Sequence, residues 1–318
     1  MPSEFDLIRR FFTRSSPGAI LGVGDDAALL RPTPGMELAV STDMLVAGRH
    51  FLPDADPYQL GHKALAVNLS DLAAMGAAPR WATLSLALPE ADEAWLSSFS
   101  QGFLDQADRF GVDLVGGDTT RGPLNLCVTI LGEVAVGRAL RRDGARPGDD
   151  VWVSGRLGGA ALGLRHLLGE TRLPAGESGD CLIRLHAPEP RVALGRALLG
   201  VATGAIDLSD GFVADLGHIL ERSGVGAEIL FEQMPAHPAV ASRLDEAWAR
   251  RCLLGGGDDY ELCFTAPAEK AREVLAAGES AGVGVTWVGR ITQAPGLRIL
   301  GPDARPMPVE LRGYDHFA

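Results

Sequence analysis

Lysine is nearly missing from this chain: Lys63 and Lys270 are the two that occur, so arginine carries almost all of the fixed positive charge. That shortage removes the Gly-Lys-Ser/Thr phosphate loop from consideration. A net charge of −12 argues against a protein that tracks nucleic-acid backbones, because such affinity comes mainly from Lys and Arg neutralising phosphates. It leaves room for a small phosphorylated molecule whose charge is balanced by metal ions. Cysteine is scarce as well. Cys127, Cys181, Cys252 and Cys263 are scattered, with no CxxC and no histidine spacing of a zinc site, which leaves reduced thiols in a cytosolic protein as the expectation. No apolar run is long enough to span a bilayer, and acids stand in the first residues where a secretion signal carries basic ones, so neither a membrane nor a secreted location is expected.

What is present describes a globular chain. With 318 residues, 46% hydrophobic and 22% charged, it is long enough for two domains, each with its own core. The best boundary is residues 138–150, a basic stretch with glycine and proline and no apolar periodicity. Domains of residues 1–138 and 139–318 are therefore expected. The apolar spacing predicts helices over residues 5–12, 93–110, 191–199 and 212–220 and one starting at Pro267, and strands over residues 19–23, 38–43, 81–88, 112–115, 124–136 and 286–291. Residues 171–179 read as an exposed polar loop. Helices and strands are mixed in an order that allows antiparallel connections, so the fold class is α+β and not a doubly wound parallel sheet.

The chain is organised around Leu65-Ala66-Val67-Asn68-Leu69-Ser70-Asp71-Leu72-Ala73-Ala74-Met75-Gly76, whose composition is that of a buried helix with an acid inside it. An ionised carboxylate removed from water needs a cation or hydrogen-bond donors. Asn68 and Asp71, spaced i, i+3, share one face, with Ser70 one step of rotation away. Other acids stand in glycine-rich turns at the ends of apolar runs: Gly24-Asp25-Asp26, Ser41-Thr42-Asp43, Gly116-Gly117-Asp118-Thr119-Thr120, Asp207-Leu208-Ser209-Asp210-Gly211 and Gly257-Asp258-Asp259-Tyr260-Glu261. Each alone is an ordinary turn. Together they offer hard oxygen donors, the chemistry of magnesium and not of zinc. Gly148-Asp149-Asp150 follows Pro147 and reads as turn chemistry alone. Gly155-Arg156-Leu157-Gly158-Gly159 resembles a phosphate loop only weakly, lacking the third spaced glycine of a dinucleotide fingerprint. His50, beside Arg49 in a loop, reads as a surface residue or a catalyst.

Taken together, Gly24-Asp25-Asp26-Ala27, Ser41-Thr42-Asp43, the Ala66 to Gly76 segment, Gly116-Gly117-Asp118-Thr119, Asp207-Leu208-Ser209-Asp210-Gly211 and Gly257-Asp258-Asp259-Tyr260-Glu261-Leu262 resemble the thiamine-monophosphate kinase family over nearly the whole chain. The resemblance implies a two-domain fold like that of aminoimidazole ribonucleotide synthetase, a homodimer paired through its N-terminal domains, and ATP-dependent phosphorylation of thiamine monophosphate to thiamine diphosphate with several Mg²⁺ ions. By position it implies Asp26, Ser41, Thr42, Asp43, Asp71, Asp118, Asp207 and Asp210 as magnesium ligands, with Asp71, Asp43 and Asp118 at the centre of the chemistry. It implies Gly117, Asp118, Arg142 and Ser209 at ATP, and His50, Asp258 and Tyr314 at the thiamine phosphate. The N-terminal domain would bind metal and ATP and the C-terminal domain would complete the substrate site. An aromatic and an acid suit a cationic thiazolium ring. The family often carries Glu at the position of Asp258 and Trp at that of Tyr314, so these two departures bear on substrate affinity. The alternatives are another ATP-using enzyme of the same superfamily and a non-catalytic sensor of nucleotide or thiamine phosphate.

Overall fold

The computed structural model describes residues 3–308. Its chain forms two compact units. One comprises the residues up to Leu72 together with Ala77–Gly137, the other Ala73–Gly76 together with the chain from Arg138 onward.

The first unit holds α1 (Glu4–Leu7), continued by a wider π-type turn at Ile8–Phe12, then β1 (Met36–Val46), α2 (Pro57–Ala74), β2 (Ala78–Leu88), α3 (Glu93–Phe110), β3 (Asp113–Arg121) and β4 (Asn125–Ala135). Helix α3 shows why its ends fall where they do: Asp92 caps it by accepting the N–H groups of Ala94 and Trp95, and Gly111 closes it in the left-handed conformation. The strands lie in the order β1-β4-β2-β3. The pairs β1/β4 and β2/β4 are antiparallel and β2/β3 is parallel, which requires a long crossover, here supplied by α3. Leu65, Leu69 and Leu72 of α2, Phe99 and Phe103 of α3, and Trp81, Leu114 and Leu126 of the sheet are among the largest fully buried side chains. The edge strand β1 alternates cleanly. Ala39, Ser41, Asp43 and Leu45 are the more buried set, whereas Leu38, Val40 and Met44 are exposed at 43%, 59% and 54%.

The second unit contains β5 (Asp150–Ser154), α4 (Gly159–Leu167), α5 (Ala175–His186), α6 (Val192–Ala197), β6 (Gly204–Asp207), α7 (Phe212–Ser223), β7 (Gly226–Leu230), α8 (Pro238–Ala241), α9 (Ala247–Gly255), β8 (Leu262–Ala266), α10 (Ala271–Ser280), β9 (Val285–Thr292) and β10 (Gly296–Leu300). Its six strands run β10-β7-β9-β5-β8-β6. Every residue of β5, β6 and β8 is buried, the polar Asp150, Ser154, Asp207 and Thr265 included, so these short strands show no alternation between a covered and a solvated face. Phe212, Leu216 and Ile219 of α7 pack in one core with Val151, Val153, Ile206 and Cys263.

Two local expectations are corrected. Residues 19–23 form no strand: Leu21 meets Leu29 in an isolated bridge, and Ile20 remains 57% exposed, because the segment finds no longer partner. Residues 171–179 are not all loop, since α5 begins at Ala175, just after Pro174. Its buried Cys181 and Leu185 anchor it, and packing of α5 on α4 overrides the polar composition of its first turn.

Candidate active site

In the first unit the strand alternation of β1 decides which donors meet. Ser41 Oγ donates to Asp71 Oδ2 at 2.5 Å, and the Asp43 N–H donates to Asn68 Oδ1 at 3.2 Å. Asn68 is itself held within α2, its Nδ2 donating to the Ala64 carbonyl at 3.1 Å. The i, i+3 face of α2 thus lies along the more buried face of β1, and Ser41, Asp43, Asn68 and Asp71 come together. Thr42 is not with them. Successive side chains of a strand point to opposite faces, and the Thr42 hydroxyl meets that of Thr129 at 2.8 Å on the exposed side. Ser70 is fully buried, and its hydroxyl has no hydrogen-bond partner among the described residues.

A cavity of about 780 Å³ in the same unit gathers Asp26, Gly117 and Asp118. Its other walls include Phe5, Ile8 and Phe12 from the N-terminal helix, which no motif in the sequence singled out. The signal was available only as the aromatic content of that segment, equally a sign of ordinary packing. Gly117 has φ +151° and stands so close to β2 that an added Cβ would lie 1.9 Å from the Leu84 carbonyl oxygen. No other residue fits there. His50 closes the turn after β1: its Nδ1 accepts the Val46 N–H at 3.0 Å, which leaves the ring proton on Nε2 in the neutral form.

In the second unit two turns are stitched side by side. The Asp258 N–H donates to the Ser209 carbonyl at 2.9 Å, the Tyr260 N–H to the Leu208 carbonyl at 2.8 Å, and the Leu208 N–H to the Glu261 carbonyl at 2.8 Å. The structure thereby brings Asp207, Ser209, Asp210 and Asp258 into one platform. Asp258 and Tyr260 both have positive φ, 67° and 47°, a conformation that Asp tolerates better than most side chains.

The acids next to these positions do other work. Asp259 accepts the Gly158 N–H with both oxygens, at 3.0 and 2.8 Å, and also bonds the Ala160 N–H. The glycine-rich start of α4 is therefore occupied by an internal carboxylate. Burial, Glu261 and Asp258 push Asp259 well above the usual carboxylate range, against those N–H bonds. Glu261, buried, receives Arg191 Nε at 2.7 Å, Arg191 Nη2 at 2.5 Å and the Ser154 hydroxyl at 2.6 Å. Asp215 on α7 is buried and accepts the N–H groups of Asp210 at 3.1 Å and Gly211 at 3.0 Å through one oxygen. Burial and the Asp210 carboxylate raise it to about 7. Arg142 is exposed, its charge felt at Asp215, and its carbonyl accepts the Ser223 hydroxyl at 2.9 Å. Asp149 accepts the Arg146 N–H within its turn but also the Thr203 hydroxyl from a distant segment, and Asp150 opens β5 and meets Arg290, so turn chemistry alone does not describe this motif. Tyr314 lies outside the described residues. Among the described residues no three His, Cys, Asp or Glu side chains cluster closely enough to hold a metal by themselves.

The model of AIR synthase related proteins matches this chain twice, its N-terminal domain over residues 24–134 and its C-terminal domain over residues 146–301. A thiamine-monophosphate kinase of Escherichia coli is 47% identical over 99% of this chain and 98% of that protein. This chain belongs to the thiamine-monophosphate kinase family. The family member of Bacillus subtilis is 36% identical, over 99% of each chain. Among solved structures, a thiamine-monophosphate kinase from Stenotrophomonas maltophilia superposes with a TM-score of 0.85 at 46% identity, covering 92% of this chain and 93% of that one. AaThiL complexed with AMPPCP and TMP gives a TM-score of 0.79 at 32% identity, over 98% of this chain and 96% of that one. The hydrogenase maturation protein HypE, at 23% identity with a TM-score of 0.76, shares the fold. The two-domain α+β architecture is thus that of the aminoimidazole ribonucleotide synthetase-like family.

Proposed function

We propose that this chain transfers the γ-phosphoryl group of ATP to thiamine monophosphate, giving thiamine diphosphate and ADP. The observation that carries the reading is the cavity of the first unit, whose lining combines Gly117, Asp26 and Asp118 with the apolar Phe5, Ile8 and Phe12. A nucleoside triphosphate likewise combines an aromatic base with phosphates. In direct in-line transfer an oxygen of the thiamine phosphate bonds to the γ-phosphorus as the bond to the β,γ-bridging oxygen breaks. The acceptor is already an anion, so no general base is needed, and catalysis consists of positioning and charge stabilisation.

The donors brought together on β1 and α2 are oxygens alone, and the Ser41 hydroxyl already orients Asp71. Such a set fits Mg²⁺. We assign Asp26, Ser41, Asp43, Asp71 and Asp118 as magnesium ligands of the first unit and Asp207 and Asp210 as magnesium ligands of the second, with Thr42 left to the other face of β1. Bound magnesium supplies the phosphate neutralisation that lysine gives in phosphate-loop enzymes. Gly117, Asp118, Arg142 and Ser209 bind ATP in this reading. His50 and Asp258 receive the thiamine phosphate, together with Tyr314. Asp71, Asp43 and Asp118 form its catalytic centre.

The protein acts as a homodimer, with the outward apolar side chains of β1 (Leu38, Val40 and Met44) covered by a second copy, since three large apolar groups on one face of an exposed edge strand, interrupted only by Thr42, are otherwise a liability. Its four free cysteines suit the reducing cytoplasm, and no helix among the described residues is long and apolar enough to cross a membrane. The test is incubation with ATP, Mg²⁺ and thiamine monophosphate, read by mass spectrometry beside metal-free and thiamine-only controls. Metal-dependent thiamine diphosphate is expected. Binding of both ligands without product would leave a sensor instead of a kinase.

A further inference from the structure

We propose that Asp215 is a positioning residue for the metal-binding turn at residues 207–211, a role that rests on the reading of Asp207 and Asp210 as magnesium ligands. The turn leaves β6 at Asp207 and enters α7 at Phe212, so Gly211 stands at the junction with φ +113° and ψ 150°, a conformation essentially reserved for glycine. Its backbone is wedged: an added Cβ would lie 2.7 Å from the Gly255 carbonyl carbon. In this geometry two consecutive N–H groups, of Asp210 and Gly211, point inward at the same place. One oxygen of Asp215, from the first turn of α7, receives both, and the residue as a whole is only 3% exposed. On its other flank the turn is held by backbone bonds to residues 258–261. Asp215 is the side-chain anchor on the α7 flank.

The direction in which Asp210 presents its carboxylate follows from the peptide planes on either side of it, and Asp215 holds the N–H of both Asp210 and Gly211. A carboxylate this buried, directed at backbone donors, is not itself offered to a ligand. It acts through Asp210, as the outer partners of metal-binding side chains do.

The test uses the full-length protein with a non-hydrolysable ATP analogue and Mn²⁺ as a paramagnetic probe, bound metal being counted by electron paramagnetic resonance. Melting temperature is measured without metal, and kcat and KM on the same preparations. Asp215→Ala is expected to weaken Mn²⁺ binding by about tenfold, the usual scale for loss of an outer partner. Asp215→Asn keeps an acceptor oxygen for both N–H groups and is expected to stay within about twofold of the parent, on the same scale. Should Asp215→Ala not fold, Asp215→Ser, which can still accept one of the two N–H groups, replaces it, with an intermediate loss expected. Unchanged Mn²⁺ affinity in a variant whose melting temperature has dropped would overturn the proposal in favour of a purely structural cap. Equal losses in Asp215→Asn and Asp215→Ala would overturn it in favour of direct ligation. Asp210→Asn serves as the reference, and its failure to weaken Mn²⁺ binding would remove the underlying reading, not the anchoring geometry.

Discussion

The two units present their acids by different physical means. In the first, Ser41, Asp43 and Asp71 sit on long regular elements, an eleven-residue strand and an eighteen-residue helix whose register alone sets their direction. In the second, Asp207 ends the short strand β6 while Asp210 and Asp258 sit on turns, and the turns are held by further acids: Asp215 on two N–H groups, Asp259 on the start of α4, Glu261 on Arg191. Regular structure positions a carboxylate at no extra charge, because the helix and strand backbone bonds are already satisfied internally. A turn with positive φ at Asp258 and Tyr260 must be over-determined by its surroundings to persist. The lesson is that one residue type is divided between two jobs, the scaffold seen in these bonds and the ligand role proposed above, and that neighbours in sequence fall on different sides of the division.

That contrast can be broken first at Glu261. Glu261→Gln removes the main counter-charge of the partly buried Arg191 guanidinium, leaving only the more distant influence of Glu189, and breaking a buried pair costs up to about 3–5 kcal/mol. Chemical denaturation is expected to show a loss of this size, and a loss below about 1 kcal/mol would demote the pair to a surface-like contact. The converse substitution lies in the first unit. Asp71→Asn should reduce turnover by about a hundredfold or more while the melting curve stays close to the parent's. If Asp71→Asn unfolded the protein instead, its acid would be scaffold and the distinction between the units would fail.

A third comparison concerns surfaces. Val40→Asp puts a charge on the outward face of β1 and is expected to raise the dimer dissociation constant by about a hundredfold, since an unpaired charge in an apolar contact costs several kcal/mol. Light scattering across a dilution series would show it, and an unchanged mass would move the dimer contact elsewhere. The smallest effect is pH-dependent and confined to the second unit. Burial, with Arg184 and Arg156 nearby, depresses His237 below 6.5, although the Asp180 carboxylate, 2.6 Å from its Nε2, opposes this. The unfolded chain then takes up a proton that the folded one refuses, so this stability is present above about pH 6.5 and lost as pH falls through it, by at most about 1.4 kcal/mol per pH unit. His237→Asn should flatten that slope between pH 7.5 and 5.5, and an identical slope in the variant would assign it to other groups.

Much was legible in the residues. The i, i+3 spacing of Asn68 and Asp71 announced a polar line on a buried helix, and the structure shows that line meeting Ser41 and Asp43. The turn at Asp149 was readable from Pro147 and Gly148, but its bond to Thr203 and the pairing of Asp150 with Arg290 were not, because both partners lie far along the chain. The split between Thr42 and Ser41 was not read, although strand alternation contains it, because a run of three oxygen donors looks like a single site. Asp215 gave no signal at all. An acid in the first turn of a helix is commonplace, and nothing local says that two inward N–H groups await it.

By itself the sequence determined the α+β class, the order of its motifs and the restriction to oxygen donors, because these depend on residue type and on periods of 2 and 3.6 that the backbone imposes locally. Tertiary structure alone decided which acids face a shared space and which are consumed as anchors. Asp258 and Asp259 are adjacent and chemically identical, yet the left-handed turn sends Asp259 to the N–H groups of α4, and only the packed position of α4 against that turn makes the difference.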